Sequence, residues 1–358
     1  TARVWDAELG EPVGGALTHP GGVAWAEFSP DGVQLVTAGR DGVARIWVRH
    51  AGEDVSILPE QPSHGRQSAP SRVFESEGQR RLTPGAAEFK AQPPLEHQGP
   101  VVMASFSPDG LRVVTASDDG TARVWDARNG RPVTGPLKCG DQVRAARFSP
   151  DGLRVVTASA DQTARVWDAF DGEAWTEPFA HGHRLTWAEF SPDGTRVATS
   201  SEDGSACVWD VRLGRALRRR VQLGQAVEEA LPSADGRWYL VGLLPDRGTP
   251  DCAVDVRRSD EEADVPLSVR FPGVASHFRY SPDEQRALAV TDDGLLRIWA
   301  VASGKLVDEP LPVGGRVHTV EFSPDSKWIV TGGTDCLAQL WETARILETP
   351  DLVRSGQV

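Results

Sequence analysis

Tyrosine is almost missing from this 358-residue chain: there are 2, against 12 tryptophans and 11 phenylalanines. Long apolar runs are also missing. None approaches the ~18–20 residues a membrane helix needs, which excludes a helical span and leaves the membrane out as an expected partner. Cysteine is sparse. Cys139, Cys207, Cys252 and Cys336 lie far apart with no Cys-x-x-Cys pair, so zinc-type spacing is absent. A chain of this size does not need disulfides, so reduced thiols and a cytoplasmic location are expected. Basic charge is short as well, with 38 Lys+Arg against 51 Asp+Glu and a net charge of -13. Binding to nucleic acid runs on a basic field, so that partner class is set aside. The one basic cluster, Arg218–Arg220, reads as a solvated outer strand, and Asp260–Asp264 as a solvated turn.

What is present is periodic. Phe28-Ser-Pro-Asp-Gly32 returns at Phe106, Phe148 and Phe190, as Tyr280-Ser-Pro-Asp, and as Phe322-Ser-Pro-Asp-Ser326; Leu231–Gly236 is a degraded copy. The Asp of each copy falls at Asp31, Asp109, Asp151, Asp193, Asp235, Asp283 and Asp325. Those positions give a period of 42 residues, broken by an insertion of 36 residues and another of 6. A Trp follows 16 residues later at Trp47, Trp125, Trp167, Trp209, Trp299 and Trp341, and Trp5 matches the same position. Trp25 and Trp187 sit six before that Asp, so most of the tryptophan excess is part of the repeat.

Gln142–Ser149, Arg154–Ser159 and Thr163–Asp168 are short segments rich in Val, Thr and aromatics, divided by turn residues. They read as strands of antiparallel hairpins, with a fourth at Pro132–Leu137 in the preceding unit. One four-stranded sheet cannot bury both faces alone, and repetition around an axis solves that. The unit from Leu231 to Asp255 lacks the Phe and Trp markers and is expected to be the weakest.

With Val113–Asp126 (Val-Val-Thr-Ala-Ser-Asp-Asp-Gly-Thr-Ala-Arg-Val-Trp-Asp) following Ser-Pro-Asp-Gly, the repeat resembles the WD40 family, in its bacterial flavour. The resemblance implies an all-β, seven-bladed propeller of four-stranded antiparallel blades. One domain is expected over 1–358, with an irregular insertion at about 59–94 and a tail at about 343–358. Thr1 is not Met, and Thr1–Asp6 matches a third strand without its first two, so a longer parent chain is expected around a monomeric propeller. Either Pro12–Leu17 or the tail near Ile346–Val353 would close the last blade. If Val55–Leu58 is the outer strand of the first full unit, the insertion lies on the binding face; if Phe89–Leu95 is, it lies on the opposite one.

The resemblance further implies buried hydrogen-bond sets in the blades. They fall on His19, Thr37, Asp41 and Trp47; His97, Thr115, Asp119 and Trp125; and His181, Thr199, Asp203 and Trp209. Hydroxyl, imidazole and carboxylate together invite a hydrolase reading. Three copies at one period argue instead for a structural joint, since an enzyme needs one site. Cys139 takes the His position in one unit, before Thr157 and Asp161, and Val313 in the last. No phosphate loop, His-Glu-x-x-His, Gly-x-Ser-x-Gly or dinucleotide fingerprint occurs. No enzyme activity and no cofactor are expected.

The expected function is a protein or peptide interaction scaffold, or sensor platform, within a signalling protein; the alternatives are a propeller hydrolase, or a module packing on another domain of its own chain. Family contacts map to Arg40, Val102, Asp118, Arg144, Arg184, Glu202, Glu228, Asp292, Arg316 and His318. No aromatic anchor is among them, which predicts a transient, salt-sensitive contact.

Overall fold

The computed structural model describes residues 1–5, 12–50, 88–216, 221–222, 227–232, 238–243, 251–258, 267–272, 275–281, 283, 285–291, 293–301, 305–306, 310–313, 317–322, 326–333 and 338–343. Arg218–Arg220, Asp260–Asp264, Val55–Leu58 and Ile346–Val353 fall outside them.

All of the named elements are strands, and they form antiparallel sheets in chain order. Unit 2 shows the pattern. Its innermost strand Val101–Phe106 pairs with Arg112–Ser117, which pairs with Thr121–Asp126, which pairs with the short outer strand Leu137–Lys138. The fourth strand expected at Pro132–Leu137 is split. Pro132 makes an isolated bridge to Trp125, and pairing resumes only at Leu137.

Unit 1 (Val23–Phe28, Gln34–Gly39, Val43–His50) precedes it, and five units follow, with innermost strands Val143–Phe148, Leu185–Phe190, Val227–Pro232, Ala275–Tyr280 and Val317–Phe322. The degenerate unit still forms four paired strands, Val227–Pro232, Trp238–Leu243, Asp251–Arg258 and Leu267–Pro272. The last unit has three strands among the described residues. Pro12–Leu17 pairs with Ala2–Trp5 as a separate hairpin.

The Ser-Pro-Asp-Gly sequence makes the turn from the first to the second strand. Asp109 accepts from the backbone N–H of Leu111 at 2.9 Å and from Ser107 Oγ; Ser107 Oγ in turn accepts from the Arg112 N–H at 3.0 Å. Gly110 follows at φ 68°, a conformation that costs glycine little. Between units, the apolar faces of successive sheets close on one another. Met103, Val114, Val143, Phe148, Val156 and Leu185 belong to one continuous buried cluster across units 2 to 4. Each such side chain contributes ~1.5–3 kcal/mol by leaving water.

The stretch expected to be irregular, about 59–94, ends sooner than that. Glu88–Ala91 pairs with Trp47–His50, and Leu95–Glu96 pairs with Val43–Ala44. His50 is opposite Glu88, so the outer strand begins at the end of the sheet away from the Gly39–Gly42 turn. Periodicity alone does not single out this outer strand, because it is divided in two by Gln92–Pro94.

Candidate functional site

Three features organise the ends and the axis of the array. First come the joints. Trp125 Nε1 donates to Thr115 Oγ1 at 2.8 Å, and the Thr115 hydroxyl lies 2.7 Å from His97 Nε2. His97 Nδ1 lies 3.0 Å from Asp119 Oδ2. A carboxylate can only accept, so the proton is on Nδ1 and Nε2 accepts from Thr115. The His97 backbone N–H binds the Gly42 carbonyl of unit 1 at 2.9 Å. One residue thus ties two consecutive sheets together.

Burial lowers the His97 pKa and outweighs the Asp119 bond that would raise it, so the ring is neutral. Burial also pushes Asp119 upward, but hydrogen bonds from Thr121, the Gln98 N–H and His97 prevail and hold it at about 2.

The other two sets are variants. His19 joins Thr37 at 2.7 Å and Asp41 at 2.9 Å, Trp47 donates to Thr37 at 2.9 Å, and Arg45 adds a 2.8 Å bond to Asp41. His181 meets Thr199 at 2.7 Å, and Trp209 donates to Thr199 at 2.8 Å. Asp203, however, is 3.9 Å from His181, and Ser205 bridges them. In unit 3, Cys139 Sγ is 3.6 Å from Thr157 Oγ1. All three Thr side chains, Thr37, Thr115 and Thr199, are fully buried. A hydroxyl without solvent access and already receiving an indole N–H has no geometry for attacking a substrate.

Second is the loop end carrying the mapped contacts. Within each unit a backbone bond closes the loops that carry the mapped positions: Arg40 N–H to Gly22 O, Asp118 N–H to Pro100 O, and Glu202 N–H to Arg184 O. Arg40, Arg144, Arg184 and Glu202 are exposed, and Val102 and Asp118 half-buried. Arg144 lies 4.0 Å from Asp118, and Glu202 pairs with His183 at 2.9 Å. Glu228 and His318 are on innermost strands, their side chains outside the described set, as are residues Asp292 and Arg316.

Third is a cluster on the axis that the motif reading missed. Arg147 of unit 3 donates to Glu27 of unit 1 at 2.8 Å and to Ser105 of unit 2 at 3.0 Å. Its guanidinium lies 5.0 Å from the Trp25 ring centroid and 5.3 Å from that of Trp187. Trp25 and Trp187, from units 1 and 4, are 6.3 Å apart. These units are not neighbours in sequence, so their innermost strands face one another across an axis. The signal was available. Four residues before the turn Asp, successive units carry Glu27, Ser105, Arg147 and Glu189, a polar position repeated along the innermost strands.

A WD domain, G-beta repeat model matches residues 11–48, 92–126, 133–168, 177–210 and 312–342. Similar proteins include the SAGA complex/transcription factor TFIID complex subunit Taf5 of Schizosaccharomyces pombe, 32% identical over 28% of this chain and 12% of its own length. An uncharacterized WD repeat-containing protein of Synechocystis is 33% identical over 28% of this chain and 27% of its own. A guanine nucleotide-binding protein subunit beta of Oryza sativa is 30% identical over 33% of this chain and 35% of its own. The matches span about a third or less of these relatives. The five matched segments and the Ser-Pro-Asp-Gly and Trp-Asp geometry agree: the chain belongs to the WD40-repeat family.

Proposed function

We propose that the chain is a non-catalytic protein-interaction scaffold, a seven-bladed propeller belonging to a larger signalling assembly in a reducing, cytoplasmic setting. The observation that carries this reading is that Arg40, Arg144, Arg184 and Glu202 are exposed at the same end of their sheets, with Glu202 bonded to the Arg184 carbonyl, on a framework whose hydroxyl–imidazole–carboxylate sets are spent internally. Loops on a rigid scaffold are where binding concentrates. Relatives named as subunits of complexes, Taf5 and the G-protein beta subunit, are consistent with it. The contact is polar and of mixed charge, so its affinity falls with salt.

The test is the triple substitution Arg40→Glu, Arg144→Glu and Arg184→Glu. Proteins retained by the folded wild type at low salt and released at high salt are expected to be lost by the triple variant. An unchanged set would overturn the assignment of this face.

A further inference from the structure

Two residues before its Trp, the repeat carries an arginine in units 1, 2, 3 and 6: Arg45, Arg123, Arg165 and Arg297, each four residues after a turn aspartate. In units 1 and 6 the arginine reaches that carboxylate, Arg45 at 2.8 Å from Asp41 and Arg297 at 3.0 Å from Asp293. In units 2 and 3 it does not. Among the described residues neither Arg123 nor Arg165 pairs with a carboxylate, and the buried Nε of each has no acceptor. Each guanidinium lies instead over the indole of its own unit, 5.8 Å from the Trp125 centroid and 5.9 Å from that of Trp167.

The donors around each aspartate account for the split. Asp119 accepts from the Thr121 hydroxyl at 2.6 Å, the Thr121 N–H and the Gln98 N–H at 2.9 Å, and His97 at 3.0 Å. Asp161 accepts from the Thr163 hydroxyl and N–H and from the Gly140 N–H. Unit 1 differs at two places: Pro20, without an N–H, replaces Gln98, and Val43, without a hydroxyl, replaces Thr121. Asp41 is thereby short of two donors, and Arg45 supplies one. Leu295 stands in the threonine's place in unit 6, where Arg297 again pairs. The threonine hydroxyl thus decides whether the arginine is spent inside its own unit.

Arg123 is placed to use that freedom. With Pro94, Glu96, His97, Gln98 and Trp125 it lines an open cavity of ≈ 400 Å³ between the outer strand of unit 1 and the third strand of unit 2. Glu96 is exposed and makes no ion pair among the described residues. One guanidinium on an aromatic face can take one planar carboxylate in a bidentate pair. A second negative charge, as on a phosphate, would also meet Glu96. The space exceeds a lone carboxylate, and exposed Pro94 and Gln98 stand beside it to meet the chain that carries one.

We propose that the cavity at Arg123 receives the carboxylate of an aspartate or glutamate from an exposed segment of a partner protein, and that Thr121 keeps the guanidinium available by occupying Asp119. Arg123 is not among the mapped contact residues, so the site stands or falls apart from the Arg40–Arg184 reading.

The probe is acetyl-Gly-Glu-Gly-amide, with glutamine or phosphoserine replacing Glu in control peptides and glutarate as a free acid. Each is titrated into the isotope-labelled full chain carrying Arg165→Gln, so that Arg123 is the free guanidinium under test. Binding is followed on the Trp125 indole N–H resonance, assigned by Trp125→Phe. The glutamate peptide is expected to bind at least about fivefold more tightly than the glutamine peptide. Arg123→Gln should abolish that preference. Thr121→Val, which conserves volume, should reduce it at least about twofold, because Arg123 then turns to Asp119 as Arg45 does to Asp41. Glu96→Gln should strengthen the glutamate peptide, and the Arg40/Arg144/Arg184 triple variant should keep the preference. Equal binding of the glutamate and glutamine peptides, or a preference that survives Arg123→Gln, would overturn the proposal. Tighter binding of the phosphoserine peptide would overturn the carboxylate assignment, and tighter binding of glutarate the assignment to a protein segment. An unchanged preference in Thr121→Val would overturn the role of Thr121.

Discussion

Arg147 donates to Glu27 at 2.8 Å across the full width of unit 2, so a single ion pair holds the first and third sheets against a common axis. Its side chains are 16% and 28% exposed, so water has partial access to both. Replacing Arg147 with Met removes the guanidinium and leaves Glu27 with Ser105, the Phe106 N–H and the Trp25 indole as donors. Because the pair is only partly buried, the expected loss is about 1–3 kcal/mol rather than the larger value of a fully dry pair. The double variant with Glu27→Gln should regain part of it. Urea unfolding followed by Trp fluorescence measures both, and an Arg147→Met midpoint equal to wild type would show the pair to be energetically idle.

Thr115 and Thr331 hold equivalent places in units 2 and 7 but different numbers of partners. Thr115 links the Trp125 indole to His97, whereas Thr331 receives Trp341 at 3.1 Å in a unit with Val313 at the His position. Deleting a hydroxyl that satisfies two buried groups costs about 2–3 kcal/mol, against about 1 kcal/mol for one. Thr115→Ala should therefore lower the denaturation midpoint more than Thr331→Ala. The reverse order would show that the joints are not what holds the sheets.

The repeat made most of this fold readable, because one strand-and-turn pattern recurs at fixed spacing and each copy confirms the others. Arg154–Ser159 and Thr163–Asp168 are strands at the limits their alternation implies. Outer strands were less legible: two residues such as Leu137–Lys138 carry too little pattern to specify a register. The His–Thr–Asp spacing identified the joints, but not that Ser205 stands between His181 and Asp203, since a serine two residues after a turn Asp looks like ordinary turn chemistry. The axial cluster escaped notice for a different reason. Glu27, Ser105 and Arg147 have three different chemistries at one repeat position, and only convergence on an axis makes them partners.

Acid should loosen the joints in two steps. The folded His97 pKa is below 6.5, so the unfolded chain takes up that proton first; its contribution is complete above 6.5 and declines as pH falls toward the folded value. Asp119, held at about 2 against 3.8, adds stability that is complete above 3.8 and is lost as pH falls through about 2. Melting temperature should therefore decline on acidification below 6.5 and again below 3.8. His97→Gln should lessen the first decline, the part due to the likewise buried His19 remaining, and the second should persist in weaker form because Asp119 keeps its bonds from Thr121 and the Gln98 N–H.

Unit 3 offers the converse test, because its set is complete except for the imidazole. Thr157 still receives Trp167 at 2.9 Å, and Asp161 accepts from Thr163 at 2.7 Å and from the Gly140 N–H at 2.7 Å. Cys139 fills the His slot with a thiol that burial pushes up to about 11, so it should resist alkylation at pH 8 in the folded protein. Cys139→His would place Nε2 toward Thr157 and Nδ1 toward Asp161, replacing a 3.6 Å sulfur contact with two stronger bonds. The net gain expected is about 1 kcal/mol, after the added ring has been packed between Thr157 and Asp161. A rise in the urea midpoint that disappears in the Cys139→His, Asp161→Ala double variant would assign the gain to the completed set. A fall in both variants would mean that the sheet interval at unit 3 has closed around the smaller thiol.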